Sequence, residues 1–223
     1  MSNAVMPLGD YVNVCNKIRE KTESTDTIKS GQLADKVNEV YKKGRQSWWD
    51  AFQQQGTGTM YAYAFYGNMW TDDIYEPIYP FIVSNGYGMY HGSYITDVKL
   101  PIEFSNTSVQ NQNMFNTTRI ITIPLLKVTE NNTFASNMFT NATGLKNITF
   151  DGVIANSLTM GTCAKLSKAS IQSIFDCLSS TASGVTLTLS TTAVNNAFSG
   201  GSTGTEWLNL VSTKPNWTIS LSN

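Results

Sequence analysis

Apolar residues recur at helical spacing over the first part of the chain. Tyr11, Val14, Cys15 and Ile18 fall on one face of a helix over 10–21, with Asp10 as its N-cap. Leu33, Val37, Val40 and Tyr41 mark a second helix over 30–43 that Gly44 stops, and Trp48, Trp49 and Phe52 mark a short third over 47–55. Gly56-Thr57-Gly58-Thr59 then breaks the periodicity and charge becomes sparse, which places a domain boundary between 1–55 and 56–223.

Beyond the boundary the pattern changes to short apolar runs that repeat. Ile95-x-x-Val98-x-Leu100, Thr118-x-x-Ile121-x-Ile123 and Leu145-x-x-Ile148-x-Phe150 are three imperfect copies, the middle one degenerate. Asn113-Met114-Phe115 and Asn137-Met138-Phe139 precede the second and third, and Met89-Tyr90 stands in the matching place before the first. A period of this length lies in or near the leucine-rich-repeat range, where each unit contributes one short strand that only stacking can bury. After the repeats, Ile171, Ile174, Phe175 and Leu178 predict a helix over 166–178 starting at Ser167, and Val185–Leu189 alternates as a strand. Val194, Ala197 and Phe198 predict a short helix; a Gly/Ser loop over 199–204, a helix over 205–211 and a strand over 217–221 follow. The expected fold is therefore α+β: an N-terminal helical segment followed by a short leucine-rich-repeat-like β-solenoid with an α/β C-terminal cap. Its second domain divides into a variable aromatic-rich part (56–112), repeats (113–165) and the cap (166–223).

Composition narrows the function. A formal net charge of −1 and a pI near 5.8 give no basic surface of the kind that binds nucleic acid. No apolar stretch is long enough for a membrane helix, and the start of the chain lacks a signal-peptide pattern, so membrane insertion is not expected and synthesis in a cytoplasm is. Cys15, Cys163 and Cys177 lack metal-ligand spacing and read as buried thiols. With no P-loop, Rossmann fingerprint or paired Cys-x-x-Cys, no cofactor and no metal site are expected.

Candidate chemistry concentrates between residues 60 and 94. This stretch holds Tyr61, Tyr63, Tyr66, Tyr75, Tyr79, Tyr87, Tyr90 and Tyr94, eight of the ten tyrosines, with Phe65, Trp70 and Phe81. Tyrosine and tryptophan offer flat apolar faces with polar edges, suited to stacking on sugar rings or filling a protein interface. Tyr61, Tyr63 and Phe65 alternate as core residues would, whereas Gly86-Tyr87-Gly88-Met89-Tyr90-His91-Gly92-Ser93-Tyr94 leaves core and surface readings equally open. The expected binding residues are Tyr66, Trp70, Tyr87, Tyr90, His91 and Tyr94. The single histidine, His91, has no partner at triad or ligand spacing, which excludes most His-based hydrolase and zinc mechanisms. Asp72, Asp73 and Glu76 are the only clustered acids in the region; two carboxylates suffice for glycoside hydrolysis, but capping or opening a turn is the simpler reading. No catalytic residue is assigned.

The run NMFTNATGLKNITFDGVI and the ending KLSKASIQSIFDCLSSTASGVTLTLSTTAVNNAF … EWLNLVSTKPNWTISL resemble the BspA-type leucine-rich-repeat proteins of gut Firmicutes and their phages. NKIREKTESTDTIKSGQLADKVNEVY is similar to an opening segment of phage tail and other virion-associated proteins. These stretches lie in the first and last parts of the chain, and 56–112 departs from any such pattern. The resemblance implies a non-enzymatic tail-associated protein, a tail fibre or receptor-binding component, that recognises a host cell-surface glycan or protein. Residues 1–55 would then join it to other virion tail proteins, as a homo-oligomer on the particle. A purely structural virion protein is the first alternative, and a glycan-degrading tail enzyme using Asp72, Asp73 or Glu76 the second.

Overall fold

The computed structural model describes residues 15–20, 32, 35–37, 39–40, 61–67, 77, 79–105 and 109–223. The chain divides into two compact units, Met1–Gln54 and Gln55–Asn223. In the first, residues 15–20 are α-helical and bury Cys15 and Ile18, two members of the expected apolar stripe. Residues 35–37 and 39–40 are also helical, but Val37, expected on a buried stripe, is about half exposed at 47%. The expected helix over 47–55 lies outside the described residues. No helix among the described residues is long and apolar enough to cross a membrane.

The second unit is built on parallel strands. Strands β1 (Phe81–Val83), β2 (Ile102–Phe104), β3 (Thr122–Val128) and β4 (Asn147–Gly152) form one sheet in that order. Strands β5 (Leu158–Met160), β6 (Val185–Ser190) and β7 (Trp217–Ser222) form a second. Every pairing is parallel. Parallel neighbours need crossover connections, and the helices supply them in the second sheet. Helix α1 (Lys168–Cys177) leads from β5 to β6, while α2 (Thr191–Ala197) and α3 (Thr205–Ser212) lead from β6 to β7.

This arrangement corrects the expected fold class. The described residues form an α/β-like fold of two parallel sheets, four and three strands wide, in place of an α+β solenoid with a cap. The elements read from 166 onward are present, but their helices are crossovers within a sheet of their own. Apolar spacing shows which face of an element is buried and is silent on which strands pair, so it does not separate an α/β cap on the repeats from a second sheet.

The core follows the register. Phe81 pairs with Ile102, Ile102 with Leu126 and Leu126 with Phe150, and all four side chains are buried. The degenerate middle copy has a structural origin. Ile123 pairs with Ile148 but Leu126 with Phe150, so β3 carries one extra residue, a bulge, around Pro124 and Leu125. Pro124 has no N–H for a ladder, and a bulge is where a strand accepts it. The true middle copy is thus Ile120-x-x-Ile123-x-x-Leu126, all buried, and Ile121, read as an inward residue, is 44% exposed.

Edge strand β4 is closed by side chains of α1. Ser167 caps this helix by accepting a hydrogen bond from Ser170 N. One turn apart on its buried face, Ser170 Oγ accepts from Ile148 N at 2.9 Å and Ser173 Oγ accepts from Phe150 N at 2.8 Å, in the place a further strand would occupy. Trp207 of α3 packs edge-on against Phe175 of α1, ring centroids 5.6 Å apart, and anchors the two helices together.

Candidate functional site

Tight turns precede the strands and stack on one another. Tyr61, Tyr63, Phe65 and Gly67 donate their N–H groups to the carbonyls of Asn85, Tyr87, Met89 and His91. Gly86, Gly88, Tyr90 and Gly92 donate in the same way to Gln110, Gln112, Met114 and Asn116. The intervening amides close bonds inside each turn, such as Tyr66 N to Tyr63 O and His91 N to Gly88 O, so the backbone is satisfied without a regular strand or helix.

This geometry sorts the aromatic residues. Pointing inward, Phe65, Tyr90, Phe115 and Phe139 stack as a buried ladder with centroid spacings of 5.0, 5.6 and 5.2 Å. Pointing outward, Tyr63, Tyr66, Tyr87 and His91 form a surface cluster. Tyr63 meets Tyr66 edge-on at 5.3 Å and Tyr87 at a tilt at 5.2 Å, and Tyr66 stacks on His91 at 4.9 Å with 21° between the planes. Tyr63 and Tyr66 are about half exposed and Tyr87 and His91 partly so.

Gly88 is the floor of the cluster. Its φ is +58°, and a Cβ there would come within 3.1 Å of the Tyr63 ring, so any side chain would be strained and would press on that ring. Tyr63 itself adopts φ +57°, the same left-handed conformation that Gly88 and Asn113 adopt one and two turns later. Its phenol is pushed above its ordinary value, first by desolvation among the neighbouring rings and then by a hydrogen bond and Coulombic repulsion from Tyr87. The cluster is therefore neutral on this tyrosine at physiological pH and presents hydroxyls beside ring faces.

Comparison with protein-family models, with curated proteins and with solved structures finds no match to this chain. The site must be read from its own geometry.

Of the residues expected to bind, the structure brings Tyr66, Tyr87 and His91 together. Tyr90 is corrected to the core: it is fully buried between Phe65 and Phe115 and cannot meet a ligand. Tyr94 is exposed but stands apart from the four rings, with the Arg119 guanidinium 3.8 Å over its ring. Trp70, Asp72, Asp73 and Glu76 lie outside the described residues. Tyr63, read as a core residue with Tyr61 and Phe65, is instead the centre of the surface cluster. A signal for both corrections is present in the sequence: aligning Ala64-Phe65 and Met89-Tyr90 with Met114-Phe115 and Met138-Phe139 puts Phe65 and Tyr90 in one inward column and Tyr63 outside it.

Burial disfavours the thiolate at two of the three cysteines. Burial pushes the Cys163 thiol up to about 12, and burial, followed by repulsion from Asp151 and Asp176, also raises Cys177. All three cysteines are free, Cys15 and Cys163 being buried. Among the described residues no group of three His, Cys, Asp or Glu side chains could hold a metal ion.

Proposed function

We propose that this protein is a binding module whose ligand is a glycan, received on the aromatic platform of Tyr63, Tyr66, Tyr87 and His91. The observation that carries this reading is the placement of the rings. Buried aromatics already complete the inner column, so the outer four contribute little to the core, and Tyr63 and Tyr66 remain about half exposed and Tyr87 and His91 partly so. A sugar presents apolar C–H faces and polar rims, and a tilted group of tyrosines matches both features. The following turns carry Gln112 and Asn116, then Ser136 and Thr140, at the outer positions, so the platform is confined to the first two turns.

The setting we propose is a phage tail, where many copies on one particle raise avidity without high single-site affinity. Its support is the sequence resemblance of the first and last stretches to tail-associated and BspA-type proteins. In this reading the ligand belongs to the host cell surface, and residues 1–55 join the protein to the tail.

The test is a comparison on beads bearing many copies of the full chain, incubated with intact gut Firmicutes. Wild-type beads should bind at least one strain, and a Tyr63→Ala/Tyr66→Ala/Tyr87→Ala variant should lose at least tenfold of that binding while keeping its far-UV spectrum and melting temperature. Equal binding by the folded variant would refute the platform as the site.

A further inference from the structure

Beyond the turns, the chain forms a groove of about 530 Å³ whose lining includes Arg119, Lys146, Lys165, Ile121, Thr96 and Thr143. Three cations face it, and among the described residues no acidic side chain lines it. None of the three has a carboxylate within salt-bridge distance among the described residues, whereas Lys17, Lys36, Lys127 and Lys168 are each paired with a glutamate. Arg119 is held by the ring of Tyr94, which fixes the guanidinium without neutralising it. Lys146 is set by its backbone: its N–H donates to Ile121 O and its carbonyl accepts from Ser167 N.

Gly144 keeps the groove open. It occupies the position that Arg119 and Tyr94 hold one and two repeats earlier, and it is part of the lining. A Cβ there would meet only ordinary contacts, the nearest being Ile120 O at 3.5 Å, so the backbone does not demand a glycine. What the missing side chain leaves is space between the cations.

We infer that this groove binds the anionic groups, phosphate or carboxylate, of an acidic polysaccharide. The inference rests on the glycan reading above and specifies the class of glycan. His91 of the platform and Tyr94 at the groove are three residues apart in the chain, a span of at most about 11 Å, so one extended polymer can reach both. Threonine hydroxyls beside three cations and an exposed isoleucine suit a charged group on an otherwise uncharged sugar or polyol backbone. Nucleic acid fits less well, because none of the described residues lining the groove is aromatic, so bases would find no ring to stack on.

The test titrates the full chain with a glycerol phosphate polymer, with polygalacturonate and with a single-stranded oligonucleotide of equal charge. The proteins compared are wild type, Lys146→Gln/Lys165→Gln, Gly144→Leu and Tyr63→Ala/Tyr66→Ala/Tyr87→Ala. At least one acidic glycan polymer should bind wild type, weakening about tenfold or more between 50 and 200 mM salt as three contacts release counterions. The lysine variant should lose about tenfold or more, and Gly144→Leu, which fills the space and keeps the charge, should lose it too. Which polymer binds identifies phosphate or carboxylate as the anion. No binding of either acidic glycan polymer, unchanged affinity in the folded lysine variant, or lysine-dependent binding of the oligonucleotide at equal or higher affinity overturns the inference. Loss in the tyrosine variant alone leaves the platform standing and removes the groove, whereas loss in the lysine variant alone does the reverse.

Discussion

Ser170→Ala tests the closure of the four-stranded sheet. Ser170 is 3% exposed and Ile148 2% exposed, so the Ile148 N–H that donates to Ser170 Oγ at 2.9 Å has no access to bulk water. The hydroxyl also donates to Lys146 O at 3.2 Å and meets Ser167 Oγ at 3.0 Å, but after the substitution that carbonyl keeps Ser167 N at 2.8 Å and the half-buried Ser167 hydroxyl still accepts from Ser170 N. The loss is thus one buried, unsatisfied backbone donor, which costs about 2 kcal/mol. In a unit of this size that corresponds to a fall in Tm of about 4–8 °C. Urea unfolding followed by fluorescence of the buried Trp207 and Trp217 reads it as a lower midpoint at unchanged slope. Gln172→Ala, on the exposed side of the same helix, should change stability by less than about 0.5 kcal/mol. Amide exchange of Ile148 should quicken in Ser170→Ala, and that of Phe150, whose partner is Ser173, should follow only through global unfolding. A Ser170→Ala midpoint equal to that of Gln172→Ala, with Ile148 exchange unchanged, would show that α1 does not complete the sheet edge.

Gly152→Ala should cost more than about 3 kcal/mol or abolish folding, because its Cβ would collide with Val128 O at φ +102°, while Gly144→Ala, with only ordinary contacts, should melt near wild type. Ser93 Oγ is fully buried with no hydrogen-bond partner among the described residues, so Ser93→Ala should be neutral or raise stability by about 1 kcal/mol; a loss beyond about 0.5 kcal/mol would mean the hydroxyl is satisfied. Because burial raises the Cys163 thiol to about 12, the native protein should resist alkylation there at pH 8, and the stability this site confers should be complete below its ordinary value near 9 and fall as the pH rises toward about 12, read by urea midpoints across that range. Tyr63→Asn, a residue that accepts φ +57°, should leave stability within about 1 kcal/mol and still lower glycan binding; unchanged binding would count against the platform.

The two ends of the second unit differ in how readily their sequence could be read. From Ser167 onward each element announces itself locally: a serine cap before an apolar helical stripe, a Thr/Leu alternation in β6, and glycines between α2 and α3. The first sheet depends on non-local pairing. There one extra residue near Pro124 shifted the apparent repeat by two positions and turned the exposed Ile121 into an expected core residue. The turns hid the site for a related reason. Left-handed residues such as Gly88 and Asn113 redirect the chain inside each turn, so Met89 and Tyr90 both face inward although they are consecutive. Neither a period of two nor a period of 3.6 describes such a segment. The aromatic tract was legible as the place to look, but its division into ladder and platform was not. The cationic groove was less legible still, since Arg119, Lys146 and Lys165 are scattered in sequence and meet only through the stacking of successive segments.

Tyr63 connects the fold to the proposed function most directly. Its left-handed backbone costs an ordinary residue about 1–2 kcal/mol, and the equivalent positions in the next two turns hold glycine and asparagine, the residues that avoid that cost. Little burial offsets it, because the ring is 54% exposed. Its contacts with Tyr66 and Tyr87 are each worth at most about 0.5–1.5 kcal/mol, and less in water. Stability therefore gives no strong reason for a tyrosine here. What the position does is carry a ring across the bare backbone of Gly88, to where it joins Tyr87 on one side and Tyr66 and His91 on the other. Without it, the platform would separate into an isolated tyrosine and a stacked pair, so a strained residue at this point is what makes four rings one surface.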